Sequence, residues 1–457
     1  MSSTPHGTPA ATATRSTDEA AWARLADAAR AVPIEEHPHM PLGFSAGALA
    51  AGIKPSGRPD LAVVLVTTPR PASAAATFTQ NLVQAAPVRL SRAHLAATGT
   101  YADASGLPPH GVARAVLVTA GCANAATGPA GDADQAEIAR LLALAAGCTP
   151  QETLLAATGL IGTRLPVERV AAGIARLAPA GLSADDAGLA AVATAMLTTD
   201  TRVKSASAVL ELAVPGGTRP VRVTGVVKGV GMIHPGMATM IALVLTDAAV
   251  APRMLAALLR PAVALAFDQL TVDGDTSTND TVFALASGAS GTAEVLEGTP
   301  AADALGAALA AVCRSLARQQ AADGEGATCR ISCRVTGAAD LTDARAVSRA
   351  VVRSSLVKAA VHGRDPNWGR VAAAAGAAQR PDGTPVSLAV ERLRIALCGT
   401  PVFAAAPLPF ERAAVSAAMA APDVTIELDL GVGRAAAEAW GCDLTEAYVR
   451  ENAEYST

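Results

Sequence analysis

The chain has 457 residues, 51% hydrophobic and 17% charged, and a net charge of −4, which allows a large core and more than one domain. No block of like charge is present, which argues against a nucleic-acid or membrane-surface partner. No apolar run reaches the ~18 residues that span a bilayer, and no basic-then-apolar leader opens the chain.

Seven cysteines, an odd number scattered along the sequence, make no disulfide framework. Cys329 and Cys333 have no second pair of zinc ligands near them, so no metal is expected. A cytoplasmic location follows from these readings. With aromatics at only 3%, the core must be built from Ala, Val and Leu.

Residues 1–15 are rich in Ser, Thr, Pro and Ala and are expected to be disordered. Ser16-x-x-Glu19 reads as a capping box opening a short helix through Trp22, Leu25 and Ala29. Residues 1–40 together read as an N-terminal extension. Leu61 to Thr67 and Ala115 to Thr119 are apolar β runs. Asp132-x-x-Gln135 is read as the cap of a helix that ends at Gly147. Pro166 suits the first turn of a helix to Leu177, and Ser183 opens another to about Met196. Val209 to Val214 and Val221 to Val227 read as a hairpin around Pro215-Gly-Gly-Thr218.

The second half continues the mixture. Pro252 to Phe267 and Ala301 to Ala321 read as helices, Arg330 to Thr336 as a strand, and Ala344 to Leu356 as a helix. His362 to Arg370 reads as a polar loop holding Trp368. Val386 to Ala396 and Val424 to Leu430 read as strands around an Ala-rich helix near Phe410 to Ala420. This order predicts a mixed α/β sandwich, not a doubly wound sheet.

One stretch links the two halves: Lys228-Gly-Val-Gly-Met-Ile-His-Pro-Gly-Met-Ala-Thr-Met-Ile-Ala-Leu-Val-Leu-Thr-Asp247. It reads as a glycine-rich loop, a Pro turn and a buried strand from Met240 to Leu245. Gly229, Gly231 and Gly236 allow unusual backbone before Thr239. From local sequence, Thr239 is either a strand start or a nucleophile at the mouth of a strand.

Other motifs admit two readings each or fail on context. Gly43-Phe-Ser45-Ala-Gly47 has the spacing of a nucleophile elbow, but a polar, Pro-rich segment precedes it where a buried strand is needed. Gly431-Val-Gly433 lacks the acidic partner of a dinucleotide site and reads as a turn. Asp273-Gly-Asp275-Thr-Ser-Thr-Asn279-Asp280 lacks the Gly and Glu of a calcium loop. It reads equally as a solvated turn or as a brace for a site. Thr158-Gly159 offers a hydroxyl and a backbone N–H to an oxyanion, or simply ends a strand. Glu325, between two glycines, is either a loop charge or a partner for a ligand ammonium.

In this order these segments resemble the ornithine acetyltransferases (glutamate N-acetyltransferases) of arginine biosynthesis. The resemblance runs from about Pro41 to Thr457. It rests on Ala51-Gly-Ile-Lys-Pro-Ser-Gly-Arg-Pro-Asp60, Ala157-Thr-Gly-Leu-Ile-Gly162, Thr198-Thr-Asp-Thr201 and the Lys228 to Asp247 stretch. It continues through Val272-Asp-Gly-Asp-Thr-Ser-Thr-Asn-Asp280, Asp323-Gly-Glu-Gly-Ala-Thr328, Asp365-Pro-Asn-Trp-Gly-Arg370, Trp440-Gly-Cys-Asp-Leu-Thr445 and Tyr448-Val-Arg-Glu-Asn452.

The resemblance implies an α/β/β/α-type sandwich with a smaller second domain. It implies self-cleavage between Ala238 and Thr239, giving an α chain of 41–238 behind its extension and a β chain of 239–457, two of each in the assembly. Thr239 would carry acetyl from N2-acetylornithine to glutamate by ping-pong transfer, with no cofactor and no metal; acetyl-CoA as a second donor stays open. Thr158 and Gly159 would form the oxyanion hole. Substrate contacts would fall on Thr198 (or Thr199), Lys228, Thr239, Glu325, Asn452 and Thr457.

The chain departs from the family pattern at Gly236, at Val230 and at Cys122. These departures keep open an alternative, a paralogue acetylating another amine in a secondary-metabolite pathway.

Overall fold

The computed structural model describes residues 10–99, 106–214, 216–234 and 240–454, with no side-chain description before residue 20. Pro215, Gly236, Ala238, Thr239 and Thr457 lie outside the described residues. In chain order the first part holds α1 (Ala10–Ala31), β1 (Phe44–Leu49), β2 (Leu61–Val66), β3 (Ala72–Phe78), α2 (Ala86–Thr98), β4 (His110–Ala113), β5 (Ala115–Cys122) and α3 (Gly128–Ala146). Then come β6 (Thr153–Leu160), α4 (Val167–Leu177), α5 (Asp186–Met196), β7 (Lys204–Val214) and β8 (Gly217–Lys228).

The second part holds β9 (Ile241–Thr246), α6 (Pro252–Ala264), β10 (Thr281–Ala286), α7 (Pro300–Ala322), β11 (Arg330–Ala338), α8 (Leu341–Arg353), α9 (Ser355–His362) and α10 (Trp368–Gly376). It closes with β12 (Arg394–Leu397), β13 (Thr400–Ala404), β14 (Ala406–Pro407), α11 (Arg412–Ala418), β15 (Asp423–Asp429), β16 (Ala435–Cys442) and α12 (Glu446–Glu454).

Two mixed sheets make the body of the protein. One has the order β1-β2-β5-β6, the other β4-β3-β10-β9-β8-β7. Their facing sides share one apolar core, with Val64, Val118 and Ala156 from the first sheet and Val226, Leu243 and Phe283 from the second. The outer face of the first sheet packs Leu61, Leu117 and Leu155 against Ile138 and Leu142 of α3 and Ile174 of α4. The outer face of the second packs Ala208, Val221 and Val244 against Leu255 and Leu259 of α6 and Leu305, Val312 and Leu316 of α7. The layers are therefore α/β/β/α, as the resemblance implied. Strand β9 is buried at all six positions, which is why it reads as an unbroken apolar run rather than an alternating one.

A third sheet, β14-β13-β12-β15-β11-β16, forms its own core with α8, α9 and α10, centred on Ile331, Val347, Val361 and Ile426. This is the smaller second α/β unit. Helix α7 is long and apolar enough to cross a membrane, but two thirds of its most apolar window is buried here.

Several local expectations need correction. Helix α1 already includes residues 10–15, so these are helical and Ser16 is not its first cap; residues 1–9 lie outside the described residues. Helix α3 starts at Gly128, with Pro in its first turn, instead of at Asp132; its end at Gly147 (φ 66°) is as expected. Ser183 does not open α5: it bridges to Ala46 in β1, and Asp185 caps the helix by accepting from Gly188 N–H.

The single helix expected over Ala344 to Leu356 is two. Ser354 leaves helical geometry (φ −62°, ψ 115°) and its hydroxyl caps α9. Trp368 is not in a loop: Asn367 caps α10 just before it, and the indole stacks on Phe403 with ring centroids 5.0 Å apart. Of Val386 to Ala396 only the end from Arg394 is strand, because pairing with β13 and β15 begins there. Ser45 lies within β1, second of its six residues and paired to Leu65, so the Gly43 to Gly47 segment is not a nucleophile elbow.

Candidate active site

A cleft of about 600 Å3, its solvent mouth included, opens where the two body sheets meet the loop after β8. Its walls bring together residues far apart in sequence: Thr158, Gly159, Thr198, Thr199, Lys228, Glu325 and Asn452 all line it. Thr239 and Thr457 belong to the undescribed segments.

The first wall is the end of β6, where Gly159 pairs with Gly121 of β5 in a parallel register. Gly159 has φ 124°, and a Cβ there would overlap the Gly121 backbone. No other residue fits this approach. Behind it, the Asn279 amide donates to Ala123 O at 2.7 Å and to Ala157 O at 2.8 Å. The polar stretch before β10 thus braces the wall instead of lying in solvent. The Asp273 carboxylate does the same for the loop after β8, accepting from the N–H groups of Met232 and Ile233.

The second wall is Lys228, the last residue of β8, which is 2% exposed. Its Nζ donates to Thr158 Oγ1 at 3.1 Å. With its lone pair so engaged, the Thr158 hydroxyl keeps its proton for another acceptor. Burial pushes the Lys228 ammonium below its usual range, with Asp200 acting in the other direction. Asp200 accepts from Lys204 Nζ at 2.8 Å and Gly229 N–H at 2.7 Å. Its own burial would raise its pKa, yet Lys228, Lys204 and these hydrogen bonds hold it below the usual carboxylate range. Lys204 also contacts Asp323 at 2.5 Å. Lys204 therefore bridges two buried carboxylates, Asp200 and Asp323, and Asp200 also counters the charge of Lys228.

The third wall is the turn after α7. Glu325 N–H donates to Val230 O at 2.9 Å. One carboxylate oxygen accepts from Thr199 Oγ1 at 2.7 Å and the other from Asn452 Nδ2 at 3.0 Å. Of the two threonines left open by sequence, both line the cleft; the hydroxyl of Thr199 holds Glu325, and the backbone of Thr198 donates to Asp200 at 3.1 Å.

Some partners carried no role of their own in the sequence. Asp200 and Lys204 are ordinary residues locally, and only the fold sets them under Lys228. Asp280 is wholly buried, and its Oδ1 accepts from Met240 N–H at 3.1 Å. Burial raises its pKa well above the carboxylate norm. Lys54 lies close by electrostatically: burial, with help from Lys228, lowers it to about 8.

A family model described as the ArgJ family matches residues 45–457. The chain belongs to the ArgJ family. It is 45% identical to the arginine biosynthesis bifunctional protein ArgJ of a Synechococcus species, over 91% of this chain and 96% of that one. It is equally identical, 45%, to the protein of the same name from Thermus thermophilus, over 92% and 99%.

Among solved structures it is similar to ArgJ from Bacillus halodurans, at 38% identity over 47% of this chain and 98% of that one, with a TM-score of 0.44. It is also similar to ornithine acetyltransferase complexed with ornithine from Mycobacterium tuberculosis, at 34% identity over 45% and 98%, with a TM-score of 0.38. As an ArgJ family member the chain is an N-acetyltransferase of arginine biosynthesis.

Proposed function

We propose that the chain cuts itself between Ala238 and Thr239, and that Thr239 then carries acetyl from N2-acetyl-L-ornithine to L-glutamate. The observation that supports this most is the Lys228–Thr158 hydrogen bond at 3.1 Å, facing Glu325 across one cleft. A hydroxyl donor, a glycine N–H, a cation and an anion converge there, which is what transfer between two amino acids requires.

In this reading the freed α-amine of Thr239 takes the proton from Oγ as Oγ attacks the acetyl carbonyl. A free α-amine titrates near ~8 and suits that task at neutral pH. The oxyanion is held by Thr158 Oγ1 and Gly159 N–H. The C–N bond breaks, the departing amine of ornithine takes the proton, and Thr239 keeps the acetyl as an ester. The glutamate amine then attacks the ester carbonyl and its proton returns to Thr239 Oγ. The acetyl bond is conserved throughout, so no cofactor is required.

Lys228 orients Thr158 and presents its charge to a substrate carboxylate. Glu325 receives the side-chain ammonium of ornithine, with Thr198, Asn452 and Thr457 closing the site. The assembly is two α (1–238) and two β (239–457) chains, in the cytoplasm. A thioester such as acetyl-CoA would enter through the same acyl-enzyme, with the thiol as leaving group.

Denaturing mass spectrometry tests the cut: wild type should give two chains divided at Ala238/Thr239, and Thr239→Ala should stay whole. An intact wild-type chain that transfers acetyl would overturn the mechanism. Assays pairing acetylornithine or acetyl-CoA with glutamate and with other amines settle donor and acceptor.

A further inference from the structure

Away from the cleft, three potential metal-binding side chains converge where the segment leading into β1 crosses the start of α5. His39 Nδ1 lies 2.8 Å from Asp186 Oδ2, and His37 Nε2 lies 3.5 Å from the same oxygen. The three ligand atoms all fall within 4.8 Å of one another. Tetrahedral bonds of ~2.1 Å set ligand atoms ~3.4 Å apart, so modest side-chain adjustment suffices.

The backbone carrying these groups is already fixed. Glu35 exchanges two hydrogen bonds with Ser207 of β7, at 3.0 and 2.8 Å. Ser207 Oγ donates to His37 O at 2.6 Å, and Thr224 Oγ1 of β8 donates to His39 O at 2.6 Å. Asp186 Oδ1 accepts from Met40 N–H at 2.8 Å, leaving Oδ2 to face the histidines. The far nitrogen of His39 meets Glu35 Oε2 at 2.8 Å. When a metal displaces the Nδ1 proton, Glu35 keeps the Nε2–H, the carboxylate-on-imidazole arrangement found behind metal-bound histidines.

We propose that His37 Nε2, His39 Nδ1 and Asp186 Oδ2 form a divalent transition-metal site that fastens residues 35–40 to α5. Two imidazoles and one carboxylate suit Zn2+ and disfavour Mg2+ or Ca2+. His37 is exposed and the other two half-buried, so water completes the coordination. Zn2+ replaces the proton shared between His39 and Asp186. Arg222 lies near enough to oppose positive charge on His39 and keeps the affinity moderate.

The test is titration of untagged, chelator-treated full-length protein with ZnCl2 by calorimetry, with thermal unfolding in parallel. Wild type should bind one Zn2+ per chain and unfold at a higher temperature with it, and MgCl2 should do neither. His37→Ala removes one ligand while keeping the backbone hydrogen bonds that hold the segment. It should weaken Zn2+ binding by at least about tenfold, remove the thermal shift and leave acetyl transfer unchanged. Asp186→Asn keeps the acceptor for Met40 N–H and should weaken binding likewise. No saturable Zn2+ binding in wild type, or equal affinity in both variants, overturns the site. Binding without a thermal shift overturns the fastening role.

Discussion

The carboxylate of Glu325 occupies the space where a Cβ on Gly231 would stand. Glycine at 231 is thus a steric condition for Glu325 to reach the cleft while Thr199 and Asn452 hold it. Gly231→Ala should push the carboxylate aside at a cost of about 1–3 kcal/mol in stability. Steady-state kinetics should show the KM for acetylornithine raised by about tenfold or more, with the fold intact by circular dichroism. An unchanged KM would refute the role given to Glu325.

Lys228→Met keeps an unbranched side chain of nearly the same length and removes its charge and its bond to Thr158. Asp200 retains Lys204 and the Gly229 N–H, so the protein should still fold. Acetyl transfer should fall by roughly 100-fold or more, the loss expected of the oxyanion hole proposed for Thr158. Folding checked by thermal melt, and kcat/KM, together decide it.

Asn279→Ala should act on stability first. Its amide ties Ala123 O to Ala157 O, and truncation leaves two buried carbonyls short of a donor. A loss of about 2–4 kcal/mol is expected, one to two for each carbonyl, measured by urea unfolding.

The Asp280 carboxyl is raised in the fold, chiefly by burial. The folded state therefore binds its proton more tightly than the unfolded chain does. That favourable term is full below the unfolded pKa of ~3.9 and is lost as pH rises toward the raised folded value. Asp280→Asn can keep the acceptor for Met240 N–H and does not titrate. Its stability relative to wild type should climb as pH goes from 4 to 8, read from unfolding curves at several pH values. A flat difference would contradict the shift.

His234 shows the opposite sign. Burial, with Arg353 and Arg349 adding to it, lowers its pKa to about 4. The unfolded chain takes up the proton first, so stability is present above ~6.5 and declines as pH falls toward 4. His234→Gln should flatten that decline, again measured by unfolding between pH 7 and 4.

The elements that sequence made legible were those whose partners lie close along the chain or whose pattern is self-contained. The apolar run of β9 announced a strand buried on both faces, and Pro215-Gly-Gly-Thr218 announced the β7–β8 hairpin. What remained hidden depended on distant contacts. Asp200 meets Lys204 within four residues but comes under the charge of Lys228 only through the β7–β8 pairing, so its motif Thr198-Thr-Asp-Thr201 marks it without giving it a role. Asn367 and Ser354 cap helices inside stretches that read as a loop and as one continuous helix.

The cleft residues were named through a resemblance of ordered motifs, and geometry then brought seven of them to one cavity. His37, His39 and Asp186 went unread because 147 residues separate His39 from its carboxylate partner.

The ladder between β8 and β9, from Val223↔Thr246 to Lys228↔Ile241, bears on the order of events during biosynthesis. The proposed scission point lies in the connection between these two strands, and both are interior members of one sheet. Fragments made from separate genes would each present a long unpaired apolar edge, an invitation to aggregate. If the chain makes the proposed cut, folding should come first, and the nicked product should migrate as a single species under native conditions. Only a denaturant would part the halves, and once parted they should not readily reunite.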